Sequence, residues 1–411
     1  MIAADTPLSE VSEPVHIVCH TLATIGGIET YAVSLAEAIA ANGGSPRLIP
    51  TDWKVGLTSD AQRFTQRPRM PVSLIRLMRS LTHRMGVRSA VDRWLVSPCR
   101  PSSAVISMHV GLSAVTPKPP GALRVLVCHG IEVWGPRSLQ MQRKLEGFDV
   151  LACVSRFTAR RLSELYPTLA ARTAWFPPTI RSRPSSPLEA GRAEGGSNQS
   201  FRRCDDDKIF RILTVSRLAA SERYKGHDLV IESLARVAEA TGKRVAYTVV
   251  GVGDDVGRLR RLAADRGVTD AVKFVGRLDG QDFEREWLAA DVFAMPSVCA
   301  EKPDGTWTGE GFGIVYLEAA DRGVPILATD LGGQTDFVRH MDTGVACRPS
   351  VGGVAEGLIL LANDRNLGRR LADNARELLR AEFAPARFTE RWANVLRTRS
   401  AASGGAARAI S

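Results

Sequence analysis

The sequence predicts an α/β protein with two tandem Rossmann-like domains. Short apolar runs alternate with segments of helical periodicity along both halves of the 411-residue chain, a pattern typical of parallel sheets flanked by helices. Residues 181–208 interrupt the alternation with Ser, Pro, Gly and charged residues, as expected of a linker or flexible loop. We therefore expect domains over 1–180 and 209–385. A C-terminal helix within 386–411 is expected to pack back on the first domain, before a disordered tail.

The first half is predicted to begin with a strand at residues 15–20. A loop with paired glycines then leads into a helix from about Glu29 to Ala41, which Asn42 and the two glycines after it end. Further strands are predicted over residues 103–109, 123–129 and 150–155.

The second half is predicted to repeat the same alternation. Apolar runs predict strands over residues 210–218, 244–253, 271–276, 291–297, 324–330 and 343–349. Helical patterns lie between and after these strands, over residues 228–241, 255–267, 283–290 and 351–379. A further helical pattern lies in the stretch that follows residue 308. In such sheets ligands bind beyond the carboxyl ends of the strands, so a pair of these domains predicts a central cleft.

Composition indicates a globular protein. Hydrophobic residues make up 44% and charged residues 24% of the chain, and no apolar run approaches the roughly 20 residues of a membrane span. The N-terminus lacks the basic start of a signal peptide. The seven cysteines are scattered without a CxxC motif, which favours free thiols. These features predict a cytoplasmic location.

Most of the net charge of +10 lies in residues 61–100, which contain nine arginines against one acid, Asp92. Apolar residues recur there at helical spacing between Leu74 and Met85. A basic amphipathic helix of this kind can lie on an anionic membrane, or it can be an ordinary surface helix. No nucleic-acid motif accompanies it, so we expect no nucleic-acid partner.

Two short loops contain candidate phosphate-binding residues. Gly26 and Gly27 precede a helix, where amide groups can approach an anion closely, although a tight turn explains them equally well. Arg217 follows a predicted strand, and Lys225 lies eight residues later before a helix. Two cations at one strand end can converge on a diphosphate, whereas isolated basic residues in loops are usually only solvated.

The stretch TGEGFGIVYLEAADRG (308–323) places two acids about a helix start. If the helix begins near Gly311, Glu310 stands at its mouth and Glu318 lies roughly 12 Å further along the axis. That spacing suits a nucleotide sugar, with a phosphate on the first amides of the helix. A favourable N-terminal acid and an ion pair from Glu318 to Arg322 would explain the same residues.

Other chemistry lacks its motifs. His20, His109 and His129 each end a predicted strand, but their spacing matches no zinc-binding pattern, so no metal site is expected. The sequence contains neither a GxSxG nor a Walker-type phosphate loop, which argues against a hydrolase or a P-loop kinase.

These motifs together resemble the retaining GT-B glycosyltransferases of family 4, also called group 1. EGFGIVYLEA resembles the family's pair of spaced glutamates, VSRL…YKG its Arg/Lys phosphate pair and TIGGIE its N-terminal glycine loop. The resemblance spans most of the chain and is strongest from about 210 to 350. It implies two domains whose parallel sheets face a central cleft.

The resemblance also implies roles for individual residues. Arg217 and Lys225 would neutralise the departing diphosphate, Glu310 would hold sugar hydroxyls, and His129 would face the donor sugar. The implied donor-binding residues are Gly26, Gly27, Arg277, Gly311, Phe312, Gly313, Ile314 and Glu318. In one departure, Asp336 stands where the family often has Glu.

The implied activity is transfer of a hexose, with retention, from a nucleotide diphosphate sugar to a lipid-linked saccharide or polysaccharide. GDP-mannose is the favoured donor and a UDP-hexose the next. No metal or other cofactor is implied, and the basic segment 61–100 suggests peripheral contact at the inner face of the plasma membrane. A nucleotide-sugar epimerase and a non-catalytic binding subunit of the same fold are the alternatives.

Overall fold

The computed structural model describes residues 14–20, 26–51, 59–65, 102–181 and 208–402. The predicted basic helix within 61–100, the interior of the predicted linker and the predicted tail lie almost wholly outside these residues. The chain divides into two compact units. Unit 1 contains the described residues up to Thr179, Asp304–Thr306 and the chain from Pro385, and unit 2 contains Ile180–Pro303 and Trp307–Ala384.

Unit 1 contains a parallel six-stranded sheet in the order β2-β1-β3-β4-β5-β6. Its strands are β1 (Val15–Cys19), β2 (Pro46–Pro50), β3 (Ala104–Ser107), β4 (Leu123–Cys128), β5 (Val150–Cys153) and β6 (Thr173–Trp175). Strands β1, β3 and β5 are buried along their whole length, because helices cover both faces of a parallel sheet. This burial explains why the strands read as continuous apolar runs in the sequence.

The helices of unit 1 pack around this sheet. They are α1 (Gly27–Ala41), α2 (Ser59–Phe64), α3 (Leu139–Glu146), α4 (Arg156–Leu165) and the C-terminal helix Pro385–Ala402. The C-terminal helix packs on α1, where Phe388 lies edge-on to Tyr31 with ring centroids 5.2 Å apart. The Tyr31 hydroxyl donates to the carbonyl of Phe176 at 2.9 Å.

Unit 2 contains a second parallel six-stranded sheet, in the order β14-β13-β10-β7-β8-β9, and a two-stranded hairpin. The sheet strands are β7 (Ile209–Val215), β8 (Arg244–Val250), β9 (Val272–Gly276), β10 (Val292–Ala294), β13 (Ile326–Thr329) and β14 (Val345–Cys347), and the hairpin strands are β11 (Ala300–Glu301) and β12 (Trp307–Thr308). Two parallel sheets with flanking helices confirm the predicted α/β class.

The helices of unit 2 follow the predicted order. They are α5 (His227–Thr241), α6 (Val256–Asp265), α7 (Gly280–Ala289), α8 (Ile314–Asp321), α9 (Val351–Asn363) and α10 (Arg365–Leu378). The helical pattern predicted over 351–379 is divided into two helices, because Asp364 leaves the helical conformation and caps α10 by accepting from the Leu367 amide at 2.8 Å.

Candidate functional site

The loops that follow β7 and β8 lock together through two glycines. A Cβ atom on Gly251 would lie 1.8 Å from the carbonyl oxygen of Ser216, and one on Gly253 would lie 2.0 Å from that of Leu218. No side chain fits at either distance, so glycine is required at both positions. The close packing fixes the backbone on both sides of Arg217.

The 3-10 turn Ala220–Lys225 is anchored to the loop after β8. Its first amide donates to Asp254 Oδ1 at 2.7 Å, and Arg223 Nε donates to Asp255 Oδ1 at 3.0 Å. Hydrogen bonds from Arg258 hold the pKa of Asp255 below its usual range. The turn that carries Lys225 is therefore held by the carboxylates of Asp254 and Asp255.

Gly226 brings Lys225 close to the end of β10. It adopts a left-handed conformation with φ of 79°, and a Cβ atom there would lie 2.2 Å from the carbonyl oxygen of Pro296. The next residue, His227, is buried, and its Nε2 lies 2.9 Å from Ser216 Oγ. Burial lowers the pKa of His227 to about 4, so the ring is neutral at pH 7.

Four charged side chains meet at this point. Lys225 Nζ lies 3.3 Å from Glu222 Oε2 and 4.0 Å from Glu310 Oε2. Arg217 pairs with the other oxygen of Glu222. The Arg217 side chain is 62% exposed, whereas those of Lys225 and Glu310 are 12% and 16% exposed. The structure thus brings the two predicted cations to one place, beside the first predicted acid.

The carboxylates of this cluster are incompletely satisfied. Glu222 Oε2 and Glu310 Oε2 are buried and accept no hydrogen bond from the described part of the chain. Burial raises the pKa of Glu310, and nearby Lys225 partly offsets this rise. Buried acceptors of this kind normally have a donor, so the cluster is suited to ligand hydroxyl groups.

Glu310 lies before α8 rather than in it, which corrects the predicted helix start near Gly311. Helix α8 begins at Ile314, because Gly313 caps it in a left-handed conformation with φ of 86° and ψ of 80°. The amides at its first turn are therefore those of Ile314 and Val315, not those of residues 311–313. The predicted 12 Å axial spacing assumed a continuous helix and does not apply.

The segment 310–312 is held by the loop after β13. The Gly333 amide donates to the carbonyl of Glu310 at 2.9 Å, and a Cβ atom on Gly333 would lie 1.8 Å from the oxygen of Gly311. Phe312 is buried, with its ring centroid 5.5 Å from that of Phe383. This packing fixes the backbone of Glu310.

Glu318 lies in the second turn of α8 and is half-buried. The ion pair recorded for Arg322 is with Glu284, at 2.7 and 3.1 Å. Arg322 also donates to the backbone carbonyl of Glu318 at 3.0 Å. The contact between Arg322 and Glu318 is therefore a backbone hydrogen bond, where the sequence suggested an i,i+4 ion pair. The ribose role of Glu318 stays a prediction.

Two further predicted residues lie at the same edge of the sheet. Arg277 is exposed and directly follows β9. Asp336 ends the 3-10 turn Gly333–Asp336 and is buried. The neighbouring Gln334 donates to Thr329 Oγ1 at 2.7 Å, which ties this turn to the end of β13.

In unit 1, Gly26 and Gly27 lie at the start of α1. Gly26 is its N-cap, and a Cβ atom on Gly27 would meet no described atom within 4 Å. Packing within the described residues therefore does not require glycine at position 27, in contrast to Gly251 and Gly253. The predicted close approach of a ligand to Gly27 remains a prediction.

Three histidines lie at the carboxyl edge of the unit 1 sheet. The rings of His20 and His109 meet edge to face with centroids 5.2 Å apart. His129 lies edge-on to Tyr31 at 5.7 Å, and its buried Nε2 has no hydrogen-bond partner in the described part of the chain. Its amide donates to Glu132 Oε1 at 2.5 Å.

Two of these histidines, His109 and His129, are neutral at pH 7. Burial lowers the pKa of His109 to about 4 and that of His129 to about 3. His20 contributes to the first shift and His109 to the second, because two protonated rings at this distance would repel each other. A neutral ring with an unpartnered Nε2 can form a hydrogen bond with a hydroxyl group, whereas it attracts an anion only weakly.

Comparison with known proteins identifies the family. A family profile described as Glycosyl transferases group 1 matches residues 199–378. A GDP-mannose-dependent alpha-(1-6)-phosphatidylinositol monomannoside mannosyltransferase of Mycobacterium tuberculosis is 33% identical over 288 residues, covering 69% of this chain and 71% of that protein. The chain belongs to the group 1 glycosyltransferases.

Other relatives of this glycosyltransferase agree. A GDP-mannose-dependent monoacylated alpha-(1-6)-phosphatidylinositol monomannoside mannosyltransferase of Corynebacterium glutamicum is 32% identical over 297 residues, covering 70% of this chain and 74% of that protein. The solved sucrose-phosphate synthase of Thermosynechococcus elongatus superposes with a TM-score of 0.67 at 19% identity, covering 95% of this chain and all of that chain. The solved neighbours are GT-B glycosyltransferases, which confirms the predicted fold.

Three further observations concern metal binding, membrane spans and a cavity in unit 2. Among the described residues, no group of three or more His, Cys, Asp or Glu is arranged to hold a metal ion. No described helix is long and apolar enough to cross a membrane. A cavity of about 610 Å³ in unit 2 is lined by the first residues of β7 and β8, at the opposite edge from the charged cluster.

Glu222 is the residue of this cluster that the sequence analysis missed. It lies three positions before Lys225, a spacing at which opposite charges can pair on a helical turn. This spacing is visible in SERYKG. The sequence alone, however, suggests no function for an acid beside two predicted phosphate-binding cations.

Proposed function

We propose that this glycosyltransferase moves a hexose, with retention, from a nucleotide diphosphate sugar to a lipid-linked saccharide or polysaccharide. The supporting observation is the cluster in which Lys225 lies between two buried carboxylates, with Arg217 beside it. The cations suit a diphosphate, and Oε2 of Glu310, which accepts no hydrogen bond from the described residues, suits sugar hydroxyls.

GDP-mannose is the proposed donor. Both curated relatives described above are named as GDP-mannose-dependent mannosyltransferases, and they share about a third of the aligned residues with this chain. Their names also favour a phosphatidylinositol mannoside as acceptor over a soluble polysaccharide. A UDP-hexose remains the second candidate donor, and we propose that Arg277 lies beside the base.

The proposed reaction breaks the bond between sugar C1 and the diphosphate oxygen and forms a bond from C1 to the acceptor oxygen on the same face. The acceptor proton moves to the departing diphosphate oxygen, so no side chain acts as a base. Arg217, Lys225 and the first amides of α8 stabilise the charge that develops on the leaving group. Metal-independent transfer is part of this proposal.

The other predicted residues position the donor. Glu310 binds sugar hydroxyls, Glu318 binds the ribose, and Gly27 allows close approach to the phosphate. His129 faces the transferred sugar, where its neutral Nε2 forms a hydrogen bond with a hydroxyl. Precise placement of the reacting groups then supplies much of the rate enhancement.

Peripheral binding at the cytoplasmic membrane face belongs to the same proposal. A lipid-linked acceptor requires access to a membrane surface, and the basic residues between 61 and 100 would be attracted to anionic headgroups. Most of that segment lies outside the described residues, so its support comes from the sequence alone.

The two alternatives make different predictions. An epimerase of the same fold would change the donor sugar without an acceptor, and a binding subunit would bind a nucleotide without turnover. The names of the relatives favour transfer over both. Product analysis with and without acceptor separates the three functions.

The donor is tested by thermal unfolding with GDP-mannose, UDP-glucose, UDP-N-acetylglucosamine and ADP-glucose. We expect GDP-mannose to raise Tm most, since a ligand that binds only the folded state stabilises it. GDP-mannose should also give an α-linked mannosylated product with vesicles that contain phosphatidylinositol mannoside. Stabilisation by another nucleotide sugar alone would contradict the donor, and a β-linked product would contradict retention.

A further inference from the structure

One carboxylate bridges both cations of the cluster. Arg217 contacts Oε1 of Glu222, and Lys225 Nζ lies 3.3 Å from Oε2. The Glu222 side chain is only 15% exposed. A carboxylate that bridges two cations occupies them in the same manner as two oxygens of a diphosphate would.

The backbone holds Glu222 in this position from both sides. The turn Ala220–Lys225 is broken at Glu222, which has φ of −116° and ψ of 26°, outside the helical region. Its amide donates to the carbonyl of Ala219 at 2.8 Å, and the next residue, Arg223, is tied to Asp255. The fold therefore positions an acid between the two cations rather than leaving it in solvent.

The bridge has an electrostatic cost for donor binding. Two cations, Arg217 and Lys225, meet two acids, Glu222 and Glu310, so the cluster has no net formal charge. A diphosphate that enters this cluster encounters no net attraction from it, and Glu222 competes for the same donors. An uncharged residue in place of Glu222 would leave a net charge of +1 and favour the diphosphate.

We propose that Glu222 is a resident counter-anion, which the donor's diphosphate displaces from Arg217 and Lys225 and which promotes release of the nucleoside diphosphate product. This inference rests on the proposed function, because it takes the two cations as the diphosphate site. Glu222 acts through the cations and is a positioning residue. Once the product's terminal phosphate loses to solvent the proton that it took from the acceptor, the product has one more negative charge than the sugar ester had, so competition for the cations matters most at release.

The 62% exposure of Arg217 fits this exchange. An exposed guanidinium can rotate from Glu222 to a ligand at little cost, whereas Lys225 is held by the packing of Gly226 against Pro296. Arg217 is therefore the cation whose side chain moves during the exchange, whereas Lys225 keeps its position and exchanges Glu222 for a phosphate oxygen.

The test is Glu222→Gln in the full-length protein, with the binding of GDP, inorganic pyrophosphate and guanosine measured by isothermal titration. We expect Kd for GDP and for pyrophosphate to fall by about tenfold, since a repulsive charge next to the diphosphate is removed. The Kd for guanosine should not change. The KM for the donor should fall as well, while kcat does not rise.

The matched control is Glu232→Gln on α5, which removes the same charge from a pair with Arg266 away from the cluster. It should leave all three affinities unchanged. Glu222→Asp retains the negative charge and should keep GDP affinity near that of the wild type, which provides a second measurement if the glutamine variant does not fold.

Unchanged or weaker GDP binding by Glu222→Gln, with normal binding by the wild type, would overturn the counter-anion role. Weaker binding would mean that Glu222 aligns the cations instead of competing for them. Tighter binding by Glu222→Asp as well would also overturn it. If the wild type bound neither GDP nor UDP nor pyrophosphate, the proposed donor site itself would fail, and this inference with it.

Discussion

The two sheets of this glycosyltransferase share a parallel topology, but their carboxyl edges carry different electrostatics. The edge in unit 2 contains ion pairs in which Lys225 contacts Glu222 and Glu310. The edge in unit 1 contains histidines that burial keeps neutral, such as His109 and His129. Ion pairs suit a charged diphosphate, whereas neutral rings suit hydroxyl groups. The difference teaches that the same parallel sheet, used twice in one chain, can have charged groups at one carboxyl edge and neutral hydrogen-bonding rings at the other.

The largest expected effect follows from Glu310→Gln. The change retains one acceptor oxygen but removes the negative charge beside Lys225, and we expect kcat to fall by about 100-fold or more, within the range seen for lost electrostatic groups. Initial rates with GDP-mannose and a phosphatidylinositol mannoside acceptor measure the effect. Activity within a few-fold of the wild type would contradict the role of Glu310.

Glu310→Gln also tests the electrostatics of the unit 2 edge through its effect on thermal stability. Burial raises the pKa of Glu310, so the folded state disfavours the ionised form at pH 7, and this cost disappears as pH falls through the raised pKa. Glu310→Gln should therefore raise Tm at pH 7 and have a smaller effect near pH 4. An equal shift at both pH values would show that charge burial is not the cause.

A smaller effect is expected from His129→Gln in unit 1. The amide can replace one hydrogen bond of the neutral ring, so we expect kcat to fall by roughly 10- to 100-fold with little change in the Kd for GDP. Steady-state rates and GDP titrations separate these quantities. A large loss of GDP affinity with unchanged kcat would place His129 at the diphosphate rather than at the sugar.

The smallest effect concerns acid stability. Burial lowers the pKa of His16 to about 4. The pKa values of His109 and His129 in unit 1 and of His227 in unit 2 are lowered for the same reason. These folded values lie below the ordinary 6.5, so stability is full above about pH 6.5 and is lost as pH falls towards 4. We expect His16→Gln to reduce the slope of unfolding free energy against pH between 6 and 4.5.

Chemical denaturation at several pH values measures this slope, which changes by at most ~1.4 kcal/mol per pH unit for one proton. An unchanged slope would show that His16 is not titrating with folding. The matched control is the same replacement at His340, which is exposed rather than buried.

The sequence predicted the α/β class because buried parallel strands read as apolar runs, but it missed strand β2. That strand, PRLIP, is short and has a proline at each end, and proline normally argues against a strand because it lacks an amide hydrogen. It is tolerated here because β2 is the edge strand of its sheet.

The charged side chains of the candidate site could be predicted from residue type, whereas the backbone conformations that position them could not. The sequence predicted a diphosphate site at Arg217 and Lys225 and, from the spacing of Glu310 and Glu318, a nucleotide-sugar contact. The structure brings Arg217, Lys225 and Glu310 together. The start of α8 was mispredicted because Gly313 adopts a left-handed conformation before the helix, in which a Cβ atom would lie 2.4 Å from the Tyr316 ring. The bridge by Glu222 depends on a broken 3-10 turn, which no periodicity reveals.

The central claim, that the cations after β7 hold the diphosphate, is tested most directly by titrating GDP and guanosine into the wild type and Lys225→Ala. We predict that the wild type binds GDP at least about 100-fold more tightly than guanosine, and that Lys225→Ala loses most of this difference. Lys273→Ala, which removes an exposed lysine from β9, should retain it. Equal affinities for GDP and guanosine in the wild type, or an undiminished difference in Lys225→Ala, would contradict the claim.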